Sequence, residues 1–215
     1  MRNITLAILV ISLYGCSQNP VSNLGGASAA LAGTGLPGAN SSQNVNPGAL
    51  VKKLNESMQN MSMAQKFTFE AFGLKKESEQ ALSNSKAFED GNSLNADVLE
   101  KTNEANKKID AFVAKNKKLD TEGKKKLTQA MPYYTKSLAQ SAGLGLAMSN
   151  AVSTISTNPM ALATGPYKVT DLVTVFTSSP KLLTQMASTT KNLATYASSR
   201  GVDTAEVESG LKDLK

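Results

Sequence analysis

Residues 47–72 read PGALVKKLNESMQNMSMAQKFTFEAF, and their spacing decides the fold class. Leu50, Leu54, Met58, Met61, Phe69 and Phe72 recur at three-, four- and seven-residue intervals, which places them on one helical face. Lys52, Lys53, Glu56, Lys66 and Glu70 fall among the intervening positions, so the opposite face is polar. The pattern predicts an amphipathic helix A over 48–89, with Gly73 as a weak point costing roughly 1 kcal/mol against alanine.

The same period continues downstream. Asp90-Gly91-Asn92-Ser93 reads as a stop and an N-cap, and Leu94, Val98, Ala105, Ile109, Phe112 and Val113 form the stripe of helix B. Lys115, Lys117 and Lys118 suit its negative end, and Asp120, Thr121 and Glu122 suit the positive start of helix C. Helix C is expected over 121–157 through Leu127, Met131, Tyr134, Leu138, Leu144, Met148, Val152 and Ile155, kinked at Pro132 and stopped by Asn158-Pro159. After Gly165-Pro166, helix D carries Val169, Leu172, Val175, Phe176, Leu182, Met186, Leu193 and Tyr196, with Pro180 expected to divide it. A short helix or tail follows over 201–215.

No strand signal exceeds the helical one, and Ala, Ser, Thr, Lys, Asn and Leu dominate while Trp and His are absent. The expectation is an all-α fold, an elongated antiparallel up-down four-helix bundle over 48–200. Short connections impose the alternation, because they cannot carry the chain back to a parallel neighbour.

Upstream of the bundle the composition changes. Residues 17–47 hold no charged side chain and consist largely of Gly, Ala, Ser, Asn, Gln and Pro, the composition of a flexible tether. Such a chain of about 30 residues spans on the order of 30 Å. Gly33-Thr34-Gly35-Leu36-Pro37-Gly38 matches GxGxxG, but no strand precedes it and Pro37 interrupts it, so it reads as tether.

Residues 1–16, MRNITLAILVISLYGC, begin with Arg2, run apolar from Ile4 to Leu13 and end in Gly15-Cys16. This is the layout of a secretory signal over 1–15, too short for a membrane span. Leu13-Tyr14-Gly15-Cys16 resembles the lipobox of bacterial lipoproteins. The resemblance implies export, cleavage before Cys16 and a diacylated Cys16 that anchors the chain to a lipid bilayer. It covers residues 1–17, and Ser17 in place of Asp favours the outer membrane over the inner in that pattern. Cys16 is the single cysteine, so no intrachain disulfide is available.

Charge narrows the function classes. The net charge is +6, yet Arg2 and Arg200 are the only arginines. Lysine-rich chains lack the bidentate fork of nucleic-acid readers, and nucleic acid is discounted as a partner. Lys115, Lys117, Lys118, Lys124, Lys125 and Lys126 crowd the B–C connection. They form a solvated cluster balanced by Asp120 and Glu122, or a surface for a membrane or a partner. An up-down count starting from a tethered helix A brings this connection back to the tether's end, facing the anchoring membrane.

Residues 127–200 are far less ionic, with five Lys or Arg and one acid, Asp171. Ala142, Gly143, Gly145, Ala147 and Ala151 permit close backbone approach, either inside the bundle or against a partner or a second copy. Met58, Met61 and Met63 read as core filler rather than a Cu(I) site, because Met63 points away from the other two on a helix. No histidine, free thiol or Walker-type cradle supports catalysis, and the pairs Glu77/Glu79 and Glu100/Glu104 sit among lysines. The expected role is non-catalytic: a membrane-anchored envelope subunit, structural or protein-interacting, without cofactor or metal. The alternatives are a periplasmic ligand- or metal-binding module and a membrane-active protein inserting helix C.

Overall fold

The computed structural model describes residues 46–89, 95–157 and 167–214. The signal, Cys16, the tether to Val45, the GxGxxG match, the Asp90–Ser93 cap with Leu94, and the stops at Asn158-Pro159 and Gly165-Pro166 lie outside them. The described residues are all-helical, with no strand among them. Their elements are α1 (Pro47–Ala71), α2 (Lys75–Ala87), α3 (Ala96–Ala114), α4 (Thr121–Ser141), α5 (Leu144–Thr157), α6 (Val169–Ser198) and α7 (Ala205–Lys212).

Helix α1 starts where the side chain of Asn46 accepts from the Ala49 amide at 3.2 Å and Pro47 takes the first helical position. Leu50, Leu54, Met58, Met61 and Phe69 are buried as their spacing predicts. Val51, Ser57, Ser62, Ala64, Gln65 and Thr68 are buried as well, because α1 packs against α2, α3, α4 and α5 and has little free surface.

Helix A is two helices. Gly73 adopts φ +72°, its amide bonds the Glu70 carbonyl at 3.0 Å, and the Leu74 amide reaches back to the Phe69 carbonyl at 2.8 Å. These two bonds close a helix C-terminus through a left-handed residue, a role that glycine fills without a Cβ penalty. Gly73 is thus a stop, where the sequence suggested a weak point, and α2 turns back along α1 to bury Ala81 and Phe88.

The remaining directions follow from paired side chains. Ser57 meets Ser137 and Ser141, Asn60 meets Gln140, and Glu70 meets Lys126, so α4 runs antiparallel to α1. Gln65 bonds Thr102 and Asn106, and Phe72 stacks on Phe112 at 3.8 Å, so α3 runs alongside α1 in the same direction. Asp110 meets Thr189 and Asn116 meets Arg200, which makes α6 co-directional with α3.

Helix C divides where no break was expected, and the division expected in helix D is absent. Helix C divides after Ser141, at Ala142 and Gly143 (φ +68°), while α4 continues through Pro132. Helix D is undivided: α6 continues through Pro180 with Val175, Phe176, Leu182 and Leu183 buried on either side, so packing against one core holds both halves in line. The Ser178 and Ser179 hydroxyls bond the Val175 carbonyl beneath the proline. The four long helices expected from the sequence are thus six among the described residues, because Gly73 and Gly143 each divide one, and α7 is the short C-terminal helix expected over 201–215.

Candidate interaction surface

The lysine-rich connection is a clamped turn. Lys115 closes α3, and Asn116 takes the left-handed conformation at φ +49°. The Tyr196 hydroxyl donates to the Lys117 carbonyl at 2.7 Å, and Arg200 donates to the carbonyl and side-chain oxygen of Asn116. Arg200 also lies over the Tyr196 ring at 5.1 Å. On the far side of the turn, Asp120 caps α4 by accepting from the Gly123 amide at 2.7 Å. The acids lie at helix C's positive start as the sequence suggested, and the structure makes Asp120 its cap and puts Glu122 in the first turn.

The six lysines divide by their partners. Lys126 is half-buried and pairs with Glu70 at 3.2 Å; Lys66 holds the other oxygen of that carboxylate at 3.1 Å. Burial works to raise the Glu70 pKa, but hydrogen bonding and attraction from Lys66 and Lys126 hold it below the ordinary glutamate value. Lys125 reaches Glu122 at 3.9 Å, and nearby Glu77 is occupied by Lys108 at 3.6 Å. Lys115, Lys117, Lys118 and Lys124 are exposed, and none of the four has a carboxylate within 4.0 Å among the described residues. Lys75 and Lys76, exposed on the first turn of α2, join the same end of the molecule. Their place there could not be read from the sequence, since they were expected inside helix A.

The cluster's location corrects the sequence expectation. A Cβ on Gly123 would lie 2.8 Å from the Ala71 carbonyl, so α4 begins against the last residue of α1. Residues 115–126 therefore sit at the end opposite Asn46, separated from it by the length of α1, about 37 Å for its 25 residues. The reversal at Gly73 adds one change of direction that the four-helix count lacked.

The other candidates are absorbed by the fold. Met58 and Met61 are buried core residues. Of the small residues of helix C, Gly145 faces Pro180 and Leu183 of α6, Ala151 is buried, and Ala147 packs half-buried against the core. No helix among the described residues is long and apolar enough to cross a membrane. A groove of about 400 Å³ runs between α3 and α6, with Leu99, Val175 and Leu182 as its apolar floor and Glu100, Lys107 and Lys181 at its rim. The buried Tyr134 hydroxyl, bonded to Thr68 at 3.2 Å, has its pKa raised by desolvation and further by Asp110. It stays neutral. Compared with family models, with curated proteins and with solved structures, the chain matches none.

Proposed function

We propose that this chain is a bacterial envelope lipoprotein, held at a bilayer by an acylated Cys16, with the outer membrane favoured by Ser17. Its role is non-catalytic: an up-down helical bundle, elongated along α1 and α6, presents a surface to another envelope protein or to a second copy. The observation that carries this reading is Leu13-Tyr14-Gly15-Cys16 at the end of a signal-like segment, with the chain's only cysteine at the acylation position. Nucleic acid is not among the proposed partners, since the described basic residues are lysines apart from Arg200, which is engaged by Asn116.

Metabolic labelling with an alkyne fatty acid tests the anchor. Incorporation into the wild-type chain and its loss in Cys16→Ser support the reading, whereas no incorporation, or a mature terminus elsewhere, overturns it. Cross-linking in the native envelope with mass spectrometry then identifies the protein on the bundle surface. The groove between α3 and α6 favours a second reading, a periplasmic ligand module, which would show as a ligand-dependent rise in melting temperature lost on Leu182→Lys.

A further inference from the structure

We infer that the lysine end of the bundle is a docking surface for a second anionic bilayer, lying across from the membrane that holds Cys16. The inference rests in part on the anchored reading. Its physical basis is separate and has three components.

The first is surplus charge. The carboxylates beside the turn are largely engaged: Glu70 binds Lys66 and Lys126, Glu77 binds Lys108, Glu122 binds Lys125, Asp120 caps Gly123, and Asp203, just past Arg200, accepts from the Ala205 amide. Lys115, Lys117, Lys118 and Lys124 are left exposed and uncompensated.

The second is preorganisation. Tyr196 and Arg200 hold the backbone at Lys117 and Asn116, so the turn keeps one shape and presents its exposed lysines without a backbone ordering cost on contact. The third is geometry. The amines lie at one pole, on the α3–α4 turn and the start of α2, around the stacked Phe72 and Phe112. A surface wider than the pole engages them together, as a sheet of lipid headgroups does. A single shaped ligand would call for converging groups and bidentate donors, whereas flexible ammonium groups suit a diffuse anionic plane.

The position opposite Asn46 gives the site its meaning. Lysines at the near end would lie beside the point where the tether enters; at the far end, about 37 Å from Asn46 along α1, they are free to engage a second bilayer.

The test is cosedimentation of the full mature chain carrying Cys16→Ser with vesicles of phosphatidylcholine containing phosphatidylglycerol. The unacylated protein binds these vesicles and not pure phosphatidylcholine, and its affinity falls roughly tenfold or more in Lys115→Gln/Lys117→Gln/Lys118→Gln/Lys124→Gln with an unchanged melting curve. Lys52→Gln/Lys53→Gln, near the opposite end, leaves binding intact. Equal binding by the quadruple variant overturns the inference, as does a preference for soluble polyphosphate over vesicles at equal anion concentration. The acylated wild type in neutral donor vesicles then captures anionic acceptor vesicles, and the quadruple variant does not. Failure of the anchor appears as absent fatty-acid labelling, and failure of the docking surface as absent cosedimentation, so the two are told apart.

Discussion

Two glycines carry different burdens, and the difference is measurable. Gly73 holds φ +72° with no atom within 4 Å of where a Cβ would stand, so Gly73→Ala pays only the left-handed conformation, about 1 kcal/mol by urea denaturation. Gly123 is helical but lies against the Ala71 carbonyl, so Gly123→Ala must push α4 from α1 and costs more, about 1–3 kcal/mol in the same measurement. Glu70 predicts a dependence on pH. Its pKa is lowered in the fold from the ordinary 4.5, so its stabilisation is fully present above that value and is lost as pH falls through the folded value. Glu70→Gln should cost about 1 kcal/mol at neutral pH, and the gap to wild type should close in acid melts.

Helices α1 and α4 are joined by hydroxyls as well as by hydrocarbon. Ser57 donates to the Ser137 carbonyl at 3.1 Å, Ser137 donates to the Ser57 carbonyl at 2.9 Å, and Ser141 adds a contact to Ser57 at 2.8 Å. Ser57→Ala and Ser137→Ala should each cost about 1–2 kcal/mol, and the double variant less than their sum, since the two bonds share both residues. This seam also shows what the sequence conceals. Apolar spacing identifies Leu50, Leu54, Met58, Met61 and Phe69, but a buried serine or glutamine looks like a solvent-facing one until its partner, 80 residues away for Ser137, is in place. Helix existence and the acidic start of α4 were legible because they depend on neighbours within a turn. The continuity of α6 through Pro180 was not, because tertiary packing overrides a local breaker.

At the scale of the whole molecule, the lysine cluster was legible as composition and misplaced as geometry. Its residues are adjacent in sequence, but their pole depends on how many times the chain reverses beforehand. Spin labels at Ala49 and Lys118 should report a separation of about 35 Å or more, where the four-helix count would have set them close together. In an alternating bundle, the parity of the reversals settles which pole each later connection occupies. A three-residue turn at Phe72–Leu74 is therefore a polarity switch: a homologue in which α1 ran unbroken into α2 would keep every lysine and turn its charged face toward its own anchor.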